Sequence, residues 1–256
     1  MVFMILMAAL APLVAPFDPF KAEPLAARQA PSLTHLMGTD HLGRDVFSRI
    51  IFGTRLSLRV GLISVSIAAV AGVVIGVTAG YYGGVLDAVS MRIVDLMLAF
   101  PGMLLALVIV FLLGPSLTNA MIAVGVAGIP TFARLVRGLT ISQKENDYVQ
   151  AARAVGAGDF SIVFRHILPN IIAPVIVMAT LTVASAIVFC AGLSFLGLGA
   201  QPPLPEWGSM LNSGRLYIRT AWWMTVFPGV MIMITALSIN LVGDGLRDAL
   251  DPRLKR

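Results

Sequence analysis

The chain has 256 residues, of which 58% are hydrophobic and 12% are charged, and its mean hydropathy is +0.90. This composition excludes an ordinary water-soluble domain and indicates an all-α polytopic protein that crosses a membrane several times. The formal charge of +5 does not indicate a nucleic-acid partner, because basic residues beside membrane spans set topology and attract anionic lipid.

Charge-free stretches predict about six membrane-spanning helices, since a helix needs roughly 20 apolar residues to cross the hydrocarbon layer. The stretch from Leu96 to Ala133 holds two of them, because turn residues at 114–119 divide it. The predicted spans are residues 1–17, 60–82, 93–113, 118–137, 170–195 and 222–243. Residues 60–243 therefore form the predicted helical core, and residues 244–256 form a cytosolic tail.

The first predicted span, residues 1–17, is shorter than the others and has two interpretations. A secretory signal peptide needs a basic residue ahead of its apolar stretch, and this segment has none. We favour a genuine first helix whose cytosolic leading part is missing from the sequence.

Residues 18–59 form a long predicted extracytoplasmic loop with an irregular, Pro-rich beginning. From Asp40 onward, apolar and polar residues fall on opposite helical faces, which predicts an amphipathic helix lying on the outer membrane surface. The apolar set is Leu42, Val46, Phe47, Ile50 and Ile51, and the polar set is Arg44, Asp45, Ser48 and Arg49. His35 and His41 suggest metal ligands together with Asp40, but their separation matches no specific ligand spacing, so we predict no metal site.

Small and charged residues near the core spans have a packing interpretation and a functional one. A stripe of glycines repeats every fourth position, which favours close helix packing over lining a transport path. Its members are Gly72, Gly76 and Gly80. Arg92 and Asp95 lie one turn apart and form either a structural ion pair, with each other or with a neighbour, or part of a gate. Pro101 should kink the third span, because proline removes a helical hydrogen bond.

A polar, helix-prone segment lies between the fourth and fifth predicted spans, within a loop at 138–169. Residues Asp147 to Arg153 favour a short helix, and Gly156 with Gly158 ends it. Lysine and arginine are dense from 134 to 165, which favours a cytosolic location by the positive-inside rule. The residues alone allow two interpretations, a docking helix for a soluble partner or a merely solvated loop.

Four stretches resemble one protein family. The segment from Asp147 through Ala157 to 166–170 resembles the EAA loop, by which permease subunits of bacterial ABC importers dock onto their ATP-hydrolysing subunits. The stretches 36–45, 193–208 and 240–253 resemble the C-type inner-membrane permeases of the dipeptide, oligopeptide and nickel importers. One departure is Gln150, where the family usually has glutamate, which puts a salt bridge to the ATPase in doubt but not docking itself.

The resemblance implies the type I ABC importer fold, a bacterial inner-membrane location and a non-catalytic subunit. The implied partners are a homologous second permease in a heterodimer, two cytosolic ATPase subunits, an extracytoplasmic solute-binding protein and membrane lipid. The implied ATPase-coupling residues are Asp147, Tyr148, Val149, Gln150, Ala151, Ala152, Arg153, Gly156, Ala157, Leu168 and Pro169. No cofactor is expected, because the pattern G-x-x-x-x-G-K-[ST] is absent and ATP would be bound by the partner subunits.

The solute is less well defined by the sequence than the transport class. Di- or oligopeptides are the first expectation, and nickel or a related chelate is the second. A secondary transporter or channel needs an intramembrane ionisable relay or a filter-like segment, and neither is found. A non-transport membrane subunit remains as a further, weaker alternative.

Overall fold

The computed structural model describes residues 1–250 and is almost entirely helical. Within that range the only β-contact is an isolated bridge between Thr39 and Asp45. The helices are α1 (Val2–Ala9), α2 (Ala11–Val14), α3 (Val46–Tyr82), α4 (Gly84–Leu98), α5 (Gly102–Leu113), α6 (Leu117–Lys144), α7 (Asp147–Ala154), α8 (Asp159–Ser161), α9 (Leu168–Phe195), α10 (Trp207–Gly214) and α11 (Trp223–Leu250). A π-helix at Ile162–Ile167 joins α8 to α9. Of the predicted tail at 244–256, the part from 251 onward lies outside the described residues.

Four helical segments are long and apolar enough to cross a membrane, namely α3, α6, the continuous helix over 159–195, and α11. A fifth crossing results if α4 and α5 count as one span, although they bend by 92° at the break between them. Pro101 lies in this break, where it lacks an N–H and disfavours a helical conformation at Phe100. The predicted kink is therefore a full change of direction, and the predicted span at 93–113 is two helices.

The first predicted helix, residues 1–17, is two short helices in the structure. α1 and α2 are separated at Leu10, and Pro12 lies in the first turn of α2. The described part of the chain has four apolar spans, or five with the bent pair, where about six were predicted.

Helices α3 and α6 form the centre of the bundle, and the glycine stripe of α3 lies directly against α6. A Cβ atom added to Gly76 would lie 2.7 Å from the carbonyl oxygen of Ala133 and 2.7 Å from the Cβ of Val136. Gly72 and Gly80 face the same helix at comparably short range. The missing side chains let the two backbones approach closely, which is how helices gain packing energy where lipid provides no hydrophobic drive.

The predicted surface helix at 40–51 is replaced by a turn and by the beginning of α3 at Val46. The polar residues of this segment point inward: Arg44 Nε donates to Asp40 Oδ2 over 2.6 Å, and Arg49 Nη1 donates to a carbonyl of the preceding loop over 2.8 Å. The loop folds over this face of the helix. Charges that the amphipathic pattern assigned to solvent are therefore buried and paired.

Asp45 stabilises the beginning of α3 from two sides. Its Oδ2 accepts a hydrogen bond from the Ser48 N–H over 2.7 Å, as an N-cap residue does, and its Oδ1 lies 2.9 Å from His35 Nδ1. His41 instead stacks on Tyr217, with ring centroids 5.9 Å apart. The two histidines therefore face different partners.

Helix α10 closes the same end of the bundle. Trp207 is fully buried at its start, and its Nε1 donates to the carbonyl oxygen of Ile50 over 3.1 Å. Glu206 caps α10 by accepting hydrogen bonds from the N–H groups of Gly208 and Ser209 over 2.9 and 2.8 Å. The outer loop and α10 thus form a packed cover at the end where α3 begins.

Candidate functional site

The polar segment forms α7 at the opposite end of the bundle, where α3 and α6 terminate. α6 continues to Lys144, so the connection between the long helices begins at residue 145 and not at 138 as predicted. Gly156 has φ +85°, its N–H donates to the Arg153 carbonyl over 3.0 Å, and the Ala157 N–H donates to the Ala152 carbonyl over 3.0 Å. These bonds form a Schellman motif, in which glycine avoids the strain of a positive φ.

One apolar side chain anchors α7 to the bundle. Val149 is 0% exposed and belongs to the same packed cluster as Ile162 and Ile167 of the π-helix. Ala152 and Ala157 pack against that cluster while remaining partly exposed. The other predicted site residues of the segment face solvent: Asp147, Tyr148, Gln150, Ala151, Arg153 and Gly156. The helix therefore has a fixed inner side and a free outer side.

Tyr148 ties α7 to the segment that leads into α9. Its hydroxyl donates to Gln143 Oε1 over 2.6 Å and lies 3.1 Å from the His166 carbonyl oxygen, and Asn170 Nδ2 donates to it over 3.2 Å. Of the two predicted site residues at the start of α9, Leu168 packs on the core and Pro169 is exposed. The Tyr148 hydroxyl thus brings together the end of α6 and the beginning of α9.

Gln150 has a specific contact that explains its amide. Its Nε2 donates to the carbonyl oxygen of Lys144 over 3.2 Å, which satisfies one of the free carbonyl groups at the end of α6. A glutamate has no hydrogen to donate at this position. The amide therefore links α6 to α7 by a bond that an ionised carboxylate at position 150 could not make.

The charges of α7 are arranged favourably along the helix. Asp147 lies in the first turn and Arg153 in the last, which suits the positive and negative ends of the helix dipole. The hydrogen bond between Arg153 and the Tyr81 hydroxyl raises the pKa of the Arg153 guanidinium above its ordinary value. Arg153 therefore keeps its positive charge at every physiological pH.

Of the arrangements expected for Arg92 and Asp95, the structure has Asp95 paired with a neighbouring helix, and a second pair also joins α4 to α6. Asp95 accepts from Arg134 Nη2 over 2.6 Å, and Asp87 accepts two bonds from Arg137 over 2.5 and 2.6 Å. Both acidic residues lie on α4, which ends before the break at 99–101 and runs in a different direction from α5. The sequence indicated the acidic partner correctly but not the helix that supplies its cation.

A cavity of about 230 Å³ lies between α3, α6 and α9 beside the break between α4 and α5. Its lining is mainly apolar, with hydroxyl groups as its polar side chains. The residues are Ser64, Val65, Ala68, Met97, Leu98, Phe100, Gly102, Val124, Ala127, Gly128, Thr131, Thr182, Ser185, Ala186 and Phe189. Sequence analysis named none of them, because they come from distant segments and carry no motif.

Tyr81, in the last turn of α3, is a further residue that sequence analysis missed. Its hydroxyl contacts Arg153 and Asp159, which lie 72 and 78 positions further along the chain. A tyrosine at the end of an apolar helix is also typical of membrane interfaces in general. Only the fold distinguishes it from Tyr82 beside it.

Comparison with known proteins gives consistent matches over most of the chain. Residues 72–256 match the family model described as "Binding-protein-dependent transport system inner membrane component". The dipeptide transport system permease protein DppC of Alkalihalophilus pseudofirmus is 50% identical over 251 residues, covering 98% of this chain and 83% of that protein. The di/tripeptide permease DppC of Pseudomonas aeruginosa is 47% identical over 261 residues, covering 100% and 86%. The glutathione permease GsiD of Pectobacterium atrosepticum is 49% identical over 227 residues, covering 89% and 75%.

Among solved structures, the chain is similar to an inward-facing conformation of the MetNI methionine ABC transporter. The TM-score is 0.65, with 20% sequence identity over 80% of this chain and 97% of that chain. At this identity the similarity establishes the fold, which is the type I importer permease fold predicted from the sequence.

Proposed function

The chain belongs to the family of binding-protein-dependent transport system inner membrane components, and on this premise we propose that it is the permease subunit of an ATP-driven importer of short peptides. The relatives named as dipeptide, di/tripeptide and glutathione permeases support this class of substrate. The observation that carries the coupling mechanism is how α7 is held: Val149 packs it against the bundle on one side, and the opposite side is exposed to solvent.

A force on the free side of α7 moves two long helices. α7 is bonded to the end of α6 through Gln150, and to the segment that leads into α9 through Tyr148. Packed helices shift as units, so closure of an ATPase around α7 becomes a rigid-body movement of the spans behind it. ATP-bound and empty ATPase subunits must bind this helix with different affinities, since only differential affinity shifts a conformational equilibrium.

The remaining parts of the machine are supplied by partners. A second, homologous permease completes the path, two cytosolic ATPase subunits dock at the coupling helices, and an extracytoplasmic binding protein delivers the solute. This subunit has no catalytic role and no cofactor of its own. Arg153 and the exposed part of α7 form the surface on which one ATPase docks.

The cavity beside the α4–α5 break supports peptides over nickel as the solute. Among its lining residues there is no Asp, Glu, His or Cys, the side chains that bind nickel ions. The hydroxyl groups of Thr131 and Ser185 can bond peptide amides, and Met97 and Phe189 can accept apolar side chains. Nickel, as a chelate, is the second candidate.

Uptake by the complete transporter in proteoliposomes tests the solute class. The ATPase subunits and ATP are placed inside the vesicle, and the binding protein is placed outside. We then expect a radiolabelled dipeptide to accumulate inside the vesicle, and nickel alone not to accumulate. ATP-dependent accumulation of nickel without any peptide transport would contradict the proposal.

A pair of glycine variants tests the coupling site. Gly156→Val places a branched side chain at φ +85° and should reduce uptake to background while membrane insertion is unchanged. Gly158→Val is the matched control, because Gly158 has an ordinary φ of −71° and open space around it. Normal uptake by the Gly156 variant would remove the support for α7 as the coupling helix.

Charge reversal tests direct docking at α7. Arg153→Glu should lower the amount of ATPase that co-purifies in detergent, whereas Arg219→Glu, at the opposite end of the bundle, should leave it unchanged. Equal recovery of the ATPase with both variants would count against Arg153 as a docking residue.

A further inference from the structure

Tyr81 has an unusual position for a polar side chain at the end of a membrane helix. It is the penultimate residue of α3, yet only 3% of it is exposed, whereas the neighbouring Tyr82 is 57% exposed. The two rings meet edge-on with centroids 5.1 Å apart. Of two adjacent tyrosines, one is therefore enclosed by other segments and the other is free.

The hydroxyl of Tyr81 joins the two sides of the turn after α7. It donates to Asp159 Oδ1 over 2.6 Å, at the first residue of α8, and it accepts a longer hydrogen bond from Arg153 Nη2 over 3.4 Å, in the last turn of α7. The turn between them contains Gly156, whose backbone alone would leave the angle between α7 and α8 weakly constrained. One phenol thus fixes both ends of that turn.

The rest of Tyr81 holds the end of α6. Lys144 Nζ donates to the Tyr81 carbonyl oxygen over 2.7 Å, and its charge lies 5.7 Å from the ring centroid. The Arg153 guanidinium lies 5.9 Å from the same centroid. Two cations are therefore gathered around one ring, and the Asp159 carboxylate on the hydroxyl offsets their mutual repulsion.

Tyr81 lies at the end of the closely packed contact between α3 and α6. The glycine stripe that packs α3 against α6 ends at Gly80, the residue immediately before it. α7, in contrast, has one fully buried side chain, Val149. A contact between the two joins a lightly held helix to a tightly packed pair.

We infer that Tyr81 is a positioning residue that fastens the α7–α8 turn to the end of α3, so that displacement of α7 is transmitted to α3 as well as to α6 and α9. The inference rests on the proposed coupling role of α7. It gives α3 a direct connection to α7, besides the indirect one through its packing on α6. The groups that transmit the displacement are the Tyr81 hydroxyl and the Asp159 carboxylate.

Amide hydrogen exchange of the purified transporter complex tests whether the Tyr81 hydroxyl holds the α7–α8 turn, and it does not depend on a transport assay. Tyr81→Phe removes the hydroxyl and keeps the ring, and we expect the backbone amides of 149–155 to exchange at least about fivefold faster, since the short bond to Asp159 and the longer bond from Arg153 are both lost. Tyr82→Phe is the matched control and should leave exchange at the native rate. Unchanged exchange in the Tyr81 variant would overturn the inference.

The partner residue provides a second, pair-specific test. Asp159→Asn keeps an oxygen that accepts from the phenol and should exchange more slowly than Asp159→Val, which loses that bond altogether. The double variant Tyr81→Phe with Asp159→Val should be no faster than Tyr81→Phe alone, because the tyrosine variant has already lost the bond to Asp159. Additive effects would show that the two residues act separately and would refute the inference.

The number of peptides transported per ATP hydrolysed tests the consequence for coupling. We expect Tyr81→Phe to lower this ratio at least twofold with the amount of co-purified ATPase unchanged, a result that simple destabilisation of the subunit does not produce. Faster exchange with an unchanged ratio would overturn the transmission part of the inference. Failure of the proposed function would appear separately, as absence of peptide uptake by the native complex or insensitivity to Gly156→Val.

Discussion

From the contact between α3 and α6 we predict that replacing glycine by alanine changes the stability of the protein in opposite directions at Gly76 and at Gly138. At Gly76, the added methyl group of Gly76→Ala would lie 2.7 Å from the Ala133 carbonyl oxygen and 2.8 Å from the Arg137 nitrogen. Non-bonded heavy atoms are most stable about 3.5–4.0 Å apart, so the helices must separate by about 1 Å. Overpacking of this kind typically costs about 1–3 kcal/mol.

The cost at Gly76 should lie toward the upper end of that range. The contacting atoms belong mainly to the backbone of α6, which cannot rotate away as a flexible side chain can. Separation at Gly76 also opens the contacts at Gly72 and Gly80, because all three lie on one face of one rigid helix. We therefore expect a loss of about 2–3 kcal/mol in the free energy of unfolding.

Gly138, on α6, is the matched control. It lies within the helix and has no atoms within 4 Å of an added Cβ. Gly138→Ala should therefore stabilise the protein by about 0.5–1 kcal/mol, since alanine loses less backbone entropy than glycine in a helix.

Thermal unfolding in detergent, followed by tryptophan fluorescence, measures both variants. The midpoint should fall by several degrees for Gly76→Ala and rise slightly for Gly138→Ala. A Gly76 variant as stable as the native protein would refute the close packing of α3 on α6, provided that the Gly138 variant shows its expected gain.

Three further outcomes are expected. Trp207→Phe should lower the unfolding free energy by about 0.5–1.5 kcal/mol, because the buried hydrogen bond from Trp207 Nε1 to the Ile50 carbonyl is lost, and an unchanged thermal midpoint would contradict this. The bidentate pair of Asp87 and Arg137 should show a coupling energy of about 1 kcal/mol in a double-mutant cycle, whereas strict additivity would mean that it contributes nothing. Burial lowers the pKa of His41 below its ordinary 6.5, so the folded state resists protonation and stability should fall as the pH drops below about 6.5. Replacement of His41 by Asn should flatten that dependence between pH 7.5 and 5.5, and an identical slope in the variant would refute the assignment.

The sequence predicted those features that depend on local spacing. The fourth-residue repeat of glycines indicated a packing face, and the glycine after 147–153 indicated where α7 ends, because helix geometry and a positive φ are local properties. The partner of the glycine face was not predictable, since any helix could have approached it. The same limit applies to Asp95, whose cation comes from a helix 39 positions away.

The segment at 40–51 illustrates a pattern with two physical solutions. An amphipathic period indicates that the two faces meet different surroundings, but not what covers the polar face. Here the polar face is covered by the chain itself, which supplies Asp40 and backbone carbonyls to Arg44 and Arg49. Water or lipid headgroups would satisfy the same residues equally well, so the sequence could not distinguish the two arrangements.

The length of α3 has a consequence for the whole transporter. A helix of 37 residues is about 55 Å long, whereas the hydrocarbon layer is about 30 Å thick. This one continuous helix therefore begins beneath α10 and the preceding loop, with Asp45 as its N-cap, and ends beside the charged groups of Lys144, Arg153 and Asp159 that contact Tyr81. A displacement at the Tyr81 end is therefore carried, along one continuous run of backbone hydrogen bonds, to the opposite end of the bundle about 55 Å away.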